Sequence, residues 1–250
     1  MVSIKNKKEI DLMIIAGGIV AETLDAIQAA IEPGISTKEL DSIALRVIKK
    51  NGATPSFYQY GGFPGNVCLS INDRVIHGIP SRHEILREGD IISVDAGACY
   101  KGYHGDAART FGVGKISAEA QRLIDTTRLS FFEGIKQAVE GNRISDISKA
   151  IFKVADDAGY GVVRDYVGHG VGSKLHEEPE VPNYDSGKPG VRLYRGMTIA
   201  VEPMVNQGTA GVKVLDDDWT VVTADGGLSA HYENTILITD GEPMVLTEKR

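Results

Sequence analysis

Residues 93–111 read SVDAGACYKGYHGDAARTF. Two apolar runs flank Lys101-Gly102, and the pattern predicts two antiparallel strands joined by a two-residue loop. In that register Tyr100 opposes Tyr103, Asp95 opposes Ala108 and Gly97 opposes Asp106. Side chains alternate between the faces of a strand, so Asp95 and Asp106 fall on one face as diagonal neighbours, their Cβ atoms about 7 Å apart. A slip of one residue would send them to opposite faces. Two carboxylates among glycine, alanine and aromatic residues, in a stretch that reads as buried sheet, need a proton or a counter-charge. A pair of divalent cations about 3.5–4 Å apart supplies one.

The rest of the chain sets this hairpin in one large domain, residues 1–250, with no linker of biased composition. At 42% hydrophobic and 24% charged residues it supports a sizeable core. A net charge of -7 and a pI near 5.4 argue against nucleic acid as the main partner, although Lys5, Lys7 and Lys8 form a small basic patch. Cys68 and Cys99 make neither a zinc-type motif nor a disulfide framework, which points to a reducing, cytoplasmic setting. The apolar run at residues 12–20 is too short and glycine-rich to span a bilayer and lacks a signal-peptide cleavage site, so a soluble protein without a membrane partner is expected.

Asn6 and Glu9 predict a helix start, with helical spacing of apolar residues to about Ile31. STKE at residues 36–39 is a capping box for a second helix that stops near Asn51-Gly52. Residues 57–66, FYQYGGFPGN, read as a loop, and VCLSI at 67–71 as a strand. Helices are expected from about Ser117 to Glu140 and from Ser145 to Ala158. TIAVEPMV, TVVTA and HYENTILIT read as strands. REGDIISVD, ending at Asp95, aligns without gaps onto YRGMTIAVE, ending at Glu202, at an offset of 107 residues. AIEPGIST and AVEGNRIS echo each other at nearly the same offset. The pattern implies two similar halves, roughly 1–115 and 116–250, facing each other with Asp95 and Glu202 as counterparts.

Further candidate ligands follow downstream: His169 and His176 in a glycine-rich loop, Glu202 at a strand end and Glu233 at a strand start. Four carboxylates and an imidazole form a hard donor set that suits Mn, Fe, Co or Zn in pairs. Taken singly, each acid reads as an ion-pair partner or turn residue and each histidine as a core or loop residue satisfied by backbone. On pattern alone both readings stand.

Asp95, Asp106, His169, Glu202 and Glu233 lie in order within DAGACYKGYHGDAARTF, GHGVGSKLHEEP, AVEPM and HYENT. With NVCLSIN and VIHGIP, this pattern closely resembles the type I methionine aminopeptidases in their minimal, bacterial-style form, along nearly the whole chain. The resemblance implies the α+β pita-bread fold of two pseudo-symmetric halves, with antiparallel sheet and flanking helices. It implies two divalent metal ions, Asp106 and Glu233 bridging them, Asp95 chelating one, and His169 and Glu202 completing the other. Glu202 would also accept and pass on a proton. His77 and His176 would hold the substrate amide and stabilise the tetrahedral intermediate. Tyr60, Phe63, Cys68 and Trp219 would surround the methionine side chain, and Leu175 stands where an aromatic is common. Gly61, His231 and Asn234 also depart from the usual pattern. The implied activity is removal of the initiator methionine from nascent polypeptides with a small second residue, by a cytoplasmic monomer acting transiently at the ribosome. The rivals are an enzyme for Xaa-Pro bonds on the same fold and a catalytically dead peptide-binding relative.

Overall fold

The computed structural model describes residues 2–249. Helix α1, Lys7–Gln28, opens on a capping box: the Asn6 side chain accepts from the Lys8 and Glu9 N–H groups, and Glu9 accepts from the Asn6 N–H. Helix α2, Thr37–Lys50, opens the same way on Ser36 and Glu39 and stops at Asn51. Helix α3 is Ala118–Ile135 and helix α4 Ile144–Asp157. α1 and α3 end earlier than their periodicity suggests. Beyond Gln28 the chain tightens into bonds from Ala30 and Ile31 back to Ile27 and Gln28, three residues away. Beyond Ile135 it turns so that Gly141 can donate to Leu193.

The long hairpin is as read: Ile91–Tyr100 pairs with Tyr103–Gly112, with Tyr100 opposite Tyr103, Asp95 opposite Ala108 and Gly97 opposite Asp106. Lys101 and Gly102 take positive φ, as a two-residue hairpin turn requires. Cys68–Ile71 pairs on the other edge of Ile91–Tyr100 and sets Cys68 beside Asp95. The α1–α2 pair covers this sheet through Val20, Leu24, Leu40 and Ile48, packed on Ile92 and Val94. The approach is close: a Cβ on Gly105 would meet the Gly17 backbone at 2.8 Å. In the second half α3 and α4 bury Phe131, Ile147 and Ile151 against the sheet containing Thr198–Val201 and Asn234–Leu237.

Two expected strands are each broken in two. TIAVEPMV divides into Thr198–Val201 and Met204–Asn206, because Pro203 has no N–H to give a ladder. HYENTILIT divides between Ser229–His231 and Asn234–Leu237, because Tyr232 donates to Pro203 and Glu233 pairs with Ala108 of the other half.

The halves repeat in their hydrogen bonds. Gly34→Leu86, Leu86→Ile35 and Thr37→Glu84 recur as Gly141→Leu193, Leu193→Asn142 and Ile144→Val191, each 107 residues on. At the join, Ala108 and Glu233 exchange backbone bonds, at 3.3 and 2.9 Å. On either side a threonine clamps the facing strand. Thr235 Oγ1 accepts from the Asp106 N–H and donates to its carbonyl, while Thr110 does the same for His231. The pseudo-twofold axis therefore runs between Ala108 and Glu233 and makes His231 the counterpart of Asp106.

Candidate active site

The facing hairpins and the loops above them enclose a cavity of about 820 Å³. Asp95 enters from the middle of its strand and Asp106 from the strand beside it, on the shared face that the register requires. Glu202 follows Val201 at the point where Pro203 ends the ladder, and Glu233 immediately precedes the Asn234–Leu237 strand. His169 lies on a short strand, Gly168–Gly170, paired with Glu177–Val181 and Thr198–Val201, and not in a loop. The flanking glycines have a physical reason: a Cβ at Gly168 would lie 2.3 Å from the Ala200 carbonyl, and one at Gly170 equally close to that of Glu178. His176 directly precedes the Glu177–Val181 strand.

Asp106 and Glu233 are almost fully buried, while Glu202 and His169 keep 12% and 14% of their side chains open toward the cleft. His169 Nε2 stands 3.4 Å from Glu202 Oε1 and 3.9 Å from Asp106 Oδ2. Its Nδ1 donates to the Gly170 carbonyl at 2.9 Å, so the lone pair on Nε2 faces the carboxylates. His231 Nε2 lies 3.7 Å from Glu233 Oε2. Donor atoms of Asp106, His169 and Glu233 come within 4.8 Å of one another, as do those of Asp95, His231 and Glu233. Among the described residues, Asp95 Oδ1, Asp106 Oδ1, Glu202 Oε1 and Glu233 Oε1 are buried without a hydrogen-bond partner.

Among the described residues, no lysine or arginine is in ion-pair contact with these carboxylates. Arg109, beside Glu233, spends its donors on the carbonyls of Ala108 and Glu233 and on Asn234 Oδ1, with its guanidinium 4.2 Å over the Tyr232 ring. Burial, followed by mutual repulsion, pushes Asp95, Glu202 and Glu233 well above the carboxylate range, and burial holds Asp106 at about 7. Burial lowers His169 to about 3, leaving a neutral imidazole. Clustered carboxyl groups that repel one another as anions, orphaned oxygen lone pairs and a neutral nitrogen fit divalent cations.

Around this floor stand the other residues read from the sequence. His176 Nδ1 is 2.8 Å from the Tyr60 hydroxyl, and its ring stands edge-on to His169 at 4.2 Å. His77 takes a positive φ and sits edge-on to Tyr166 and Trp219, its pKa lowered to about 4 by burial. Phe63, Cys68 and Leu175 form an apolar cluster with Trp219 against it, and Tyr60 lines the mouth. Burial and the adjacent carboxylates keep the Cys68 thiol protonated. Phe57, Ile76 and Tyr166 line the same cavity and carried no signal in the sequence that set them apart from core residues. His231 lines the cavity as well; the sequence marked it only as a departure from the family pattern. Lys5 does not belong to a surface basic patch: it is buried and pairs with Glu177 at 2.6 Å, beside His176.

Residues 11–240 match metallopeptidase family M24. The chain is 57% identical to a methionine aminopeptidase of Clostridium acetobutylicum over 247 residues, covering 99% of each. Its fold superposes on the crystal structure of methionine aminopeptidase from Thermotoga maritima with a TM-score of 0.98, at 42% identity and full coverage of both chains. A prolidase from Pyrococcus furiosus gives a TM-score of 0.80 at 25% identity, and there the chain spans 66% of the longer protein. Pita-bread architecture, a carboxylate-lined cleft and identity along the full length thus agree, and the chain belongs to the methionine aminopeptidases of metallopeptidase family M24.

Proposed function

We propose that this chain hydrolyses the peptide bond after an N-terminal methionine, using two divalent cations held by Asp95, Asp106, His169, Glu202 and Glu233. The observation that carries the reading is the convergence of four carboxylates, without a basic partner among the described residues, on a neutral histidine in one cleft. Glu233 belongs to both groups of donors and Asp106 to the group of His169, and these two carboxylates would be shared between the cations. Asp95 would hold one cation, and His169 with Glu202 the other. Co, Mn, Fe and Zn all suit this set. Cations held there would supply Lewis acidity toward the scissile carbonyl and lower the pKa of the attacking water.

The protein's own groups do the rest. Glu202, partly open to the cleft, accepts the proton of the attacking water and delivers it to the leaving amine. His77 and His176 are neutral, since burial lowers both, and their ring N–H groups hold the substrate amide and the developing oxyanion. Phe63, Cys68, Leu175 and Trp219, with Tyr60 at the rim, accept the methionine thioether, which suits an apolar and adaptable slot. Substrates are new polypeptides with a small second residue, met transiently at the ribosome by a cytoplasmic monomer whose catalytic unit spans residues 1–250. No helix among the described residues is long and apolar enough to cross a membrane.

Metal-free protein titrated with each divalent cation and assayed on Met-Ala-Ser tests this. Methionine release that saturates near two equivalents is expected, with Xaa-Pro peptides left intact. Absence of both stoichiometric binding and methionine release with every cation tried would overturn it.

A further inference from the structure

His231 is 2% exposed, and both of its ring nitrogens lack a hydrogen-bond partner among the described residues. A buried imidazole left in that state loses its hydration without return, unless something in the cleft takes its lone pair. The ring lines the same cavity as the carboxylates. Its Nε2 faces Glu233 Oε2 at 3.7 Å, and a donor atom of Asp95 completes a triad within 4.8 Å. Two donors across one ion, at bond lengths of about 2 Å, are about 4 Å apart, so a side-chain adjustment of under about 1 Å closes the triad.

The internal symmetry gives an independent argument. The backbone of His231 is clamped by Thr110 as that of Asp106 is clamped by Thr235, and the two residues occupy equivalent positions on facing strands. Such positions point their side chains into the same cleft from opposite sides of the axis.

We propose that His231 is a sixth protein ligand, binding the cation that Asp95 holds and giving that site a nitrogen donor as His169 does for its neighbour. The inference rests on the two-cation reading above and adds a ligand to it. A nitrogen donor moves the Asp95 side away from the all-oxygen character that favours Mn and Mg and toward Fe, Co and Zn.

The test uses metal-free protein and Co(II). Calorimetric titration of the wild type is expected to show two equivalents. In His231→Gln one equivalent should bind about 10- to 100-fold more weakly while the other is unchanged. Proton spectra of the di-Co(II) protein should contain two exchangeable, contact-shifted imidazole N–H resonances, one of them lost in His231→Gln. Because the wild-type spectrum needs no variant, a folding defect in His231→Gln does not blunt the test. One shifted resonance in the wild type, or two that both persist in His231→Gln, overturns the ligand role and leaves the two-cation reading standing. Failure of the wild type to take up two equivalents overturns both.

Discussion

Asp95 and Asp106 share a face of one hairpin, yet the structure gives them different surroundings. Asp106 lies with His169 and Glu233, whereas Asp95 lies with His231 and Glu233. If Asp106 bridges, Asp106→Asn weakens uptake of both cations by at least about tenfold, and Asp95→Asn weakens chiefly one. Calorimetric titration separates the cases, and equal two-site losses in both variants would remove the distinction. Leu175 is 2% exposed within the apolar cluster of the cleft. A branched aliphatic there leaves space that a ring would fill. Leu175→Phe is therefore expected to lower the ratio of Leu- to Met-peptide hydrolysis, a specificity change of about 1–3 kcal/mol if one methylene's worth of fit is lost. Unchanged kcat/KM ratios for Met-, norleucine- and Leu-starting peptides would dismiss the idea.

The long hairpin carries both aspartates, and its position depends on α1. Gly17 and Gly105 meet backbone to backbone, and neither neighbour is a flexible side chain that can give way. Gly105→Ala is expected to destabilise the protein by about 1–3 kcal/mol through overpacking and to weaken cation uptake, because the shifted strand carries Asp106 with it. Urea denaturation of the metal-free variant checks the first effect and calorimetry the second. A stable variant with wild-type affinity would show that the helix yields. Gly17 has a further constraint of its own, since a Cβ there would lie 2.1 Å from the Leu246 carbonyl, whereas one at Gly18 would meet nothing within 4 Å. The hairpin register was legible beforehand because a two-residue turn and a period of two leave one alignment with both acids on one face. The breaks at Pro203 and at Tyr232-Glu233 were harder to read. Proline marked the first, but the second arises from pairing with Ala108, far away in the chain.

Taken as a whole, the protein gathers four carboxylates in its interior, and that has a consequence for stability. Their folded pKa values are raised, so the metal-free folded state binds more protons than the unfolded chain, and stability falls as pH rises through those values. His77, His169 and His231 act oppositely. Their pKa values are lowered to about 4, 3 and 3, so they remove stability as pH falls through the unfolded value of 6.5. The histidine effect fades over about one pH unit above 6.5, leaving the carboxyl effect to dominate where Asp106 titrates at about 7. The metal-free Tm should fall between pH 6.5 and 8, each carboxyl group contributing up to about 1.4 kcal/mol per pH unit. Saturating divalent cation should raise Tm and flatten that slope, since the ions replace the protons. A level or rising metal-free Tm across this range would contradict the buried, unpaired state of the acids.

Capping boxes, the hairpin turn, the strand period and the order of the acid-bearing motifs were all readable in the chain, because each depends on neighbours within a few residues. The echo between REGDIISVD and YRGMTIAVE was readable because similar halves repeat similar local choices. The meeting of those halves was not. The exchange between Ala108 and Glu233, the matched threonine clamps, and the entry of His231 into the cleft opposite Asp106 join residues more than a hundred positions apart. Lys5 looked like a solvated charge until the fold buried it against Glu177. Local pattern specifies which face a side chain takes, but only packing across the axis specifies what that face meets.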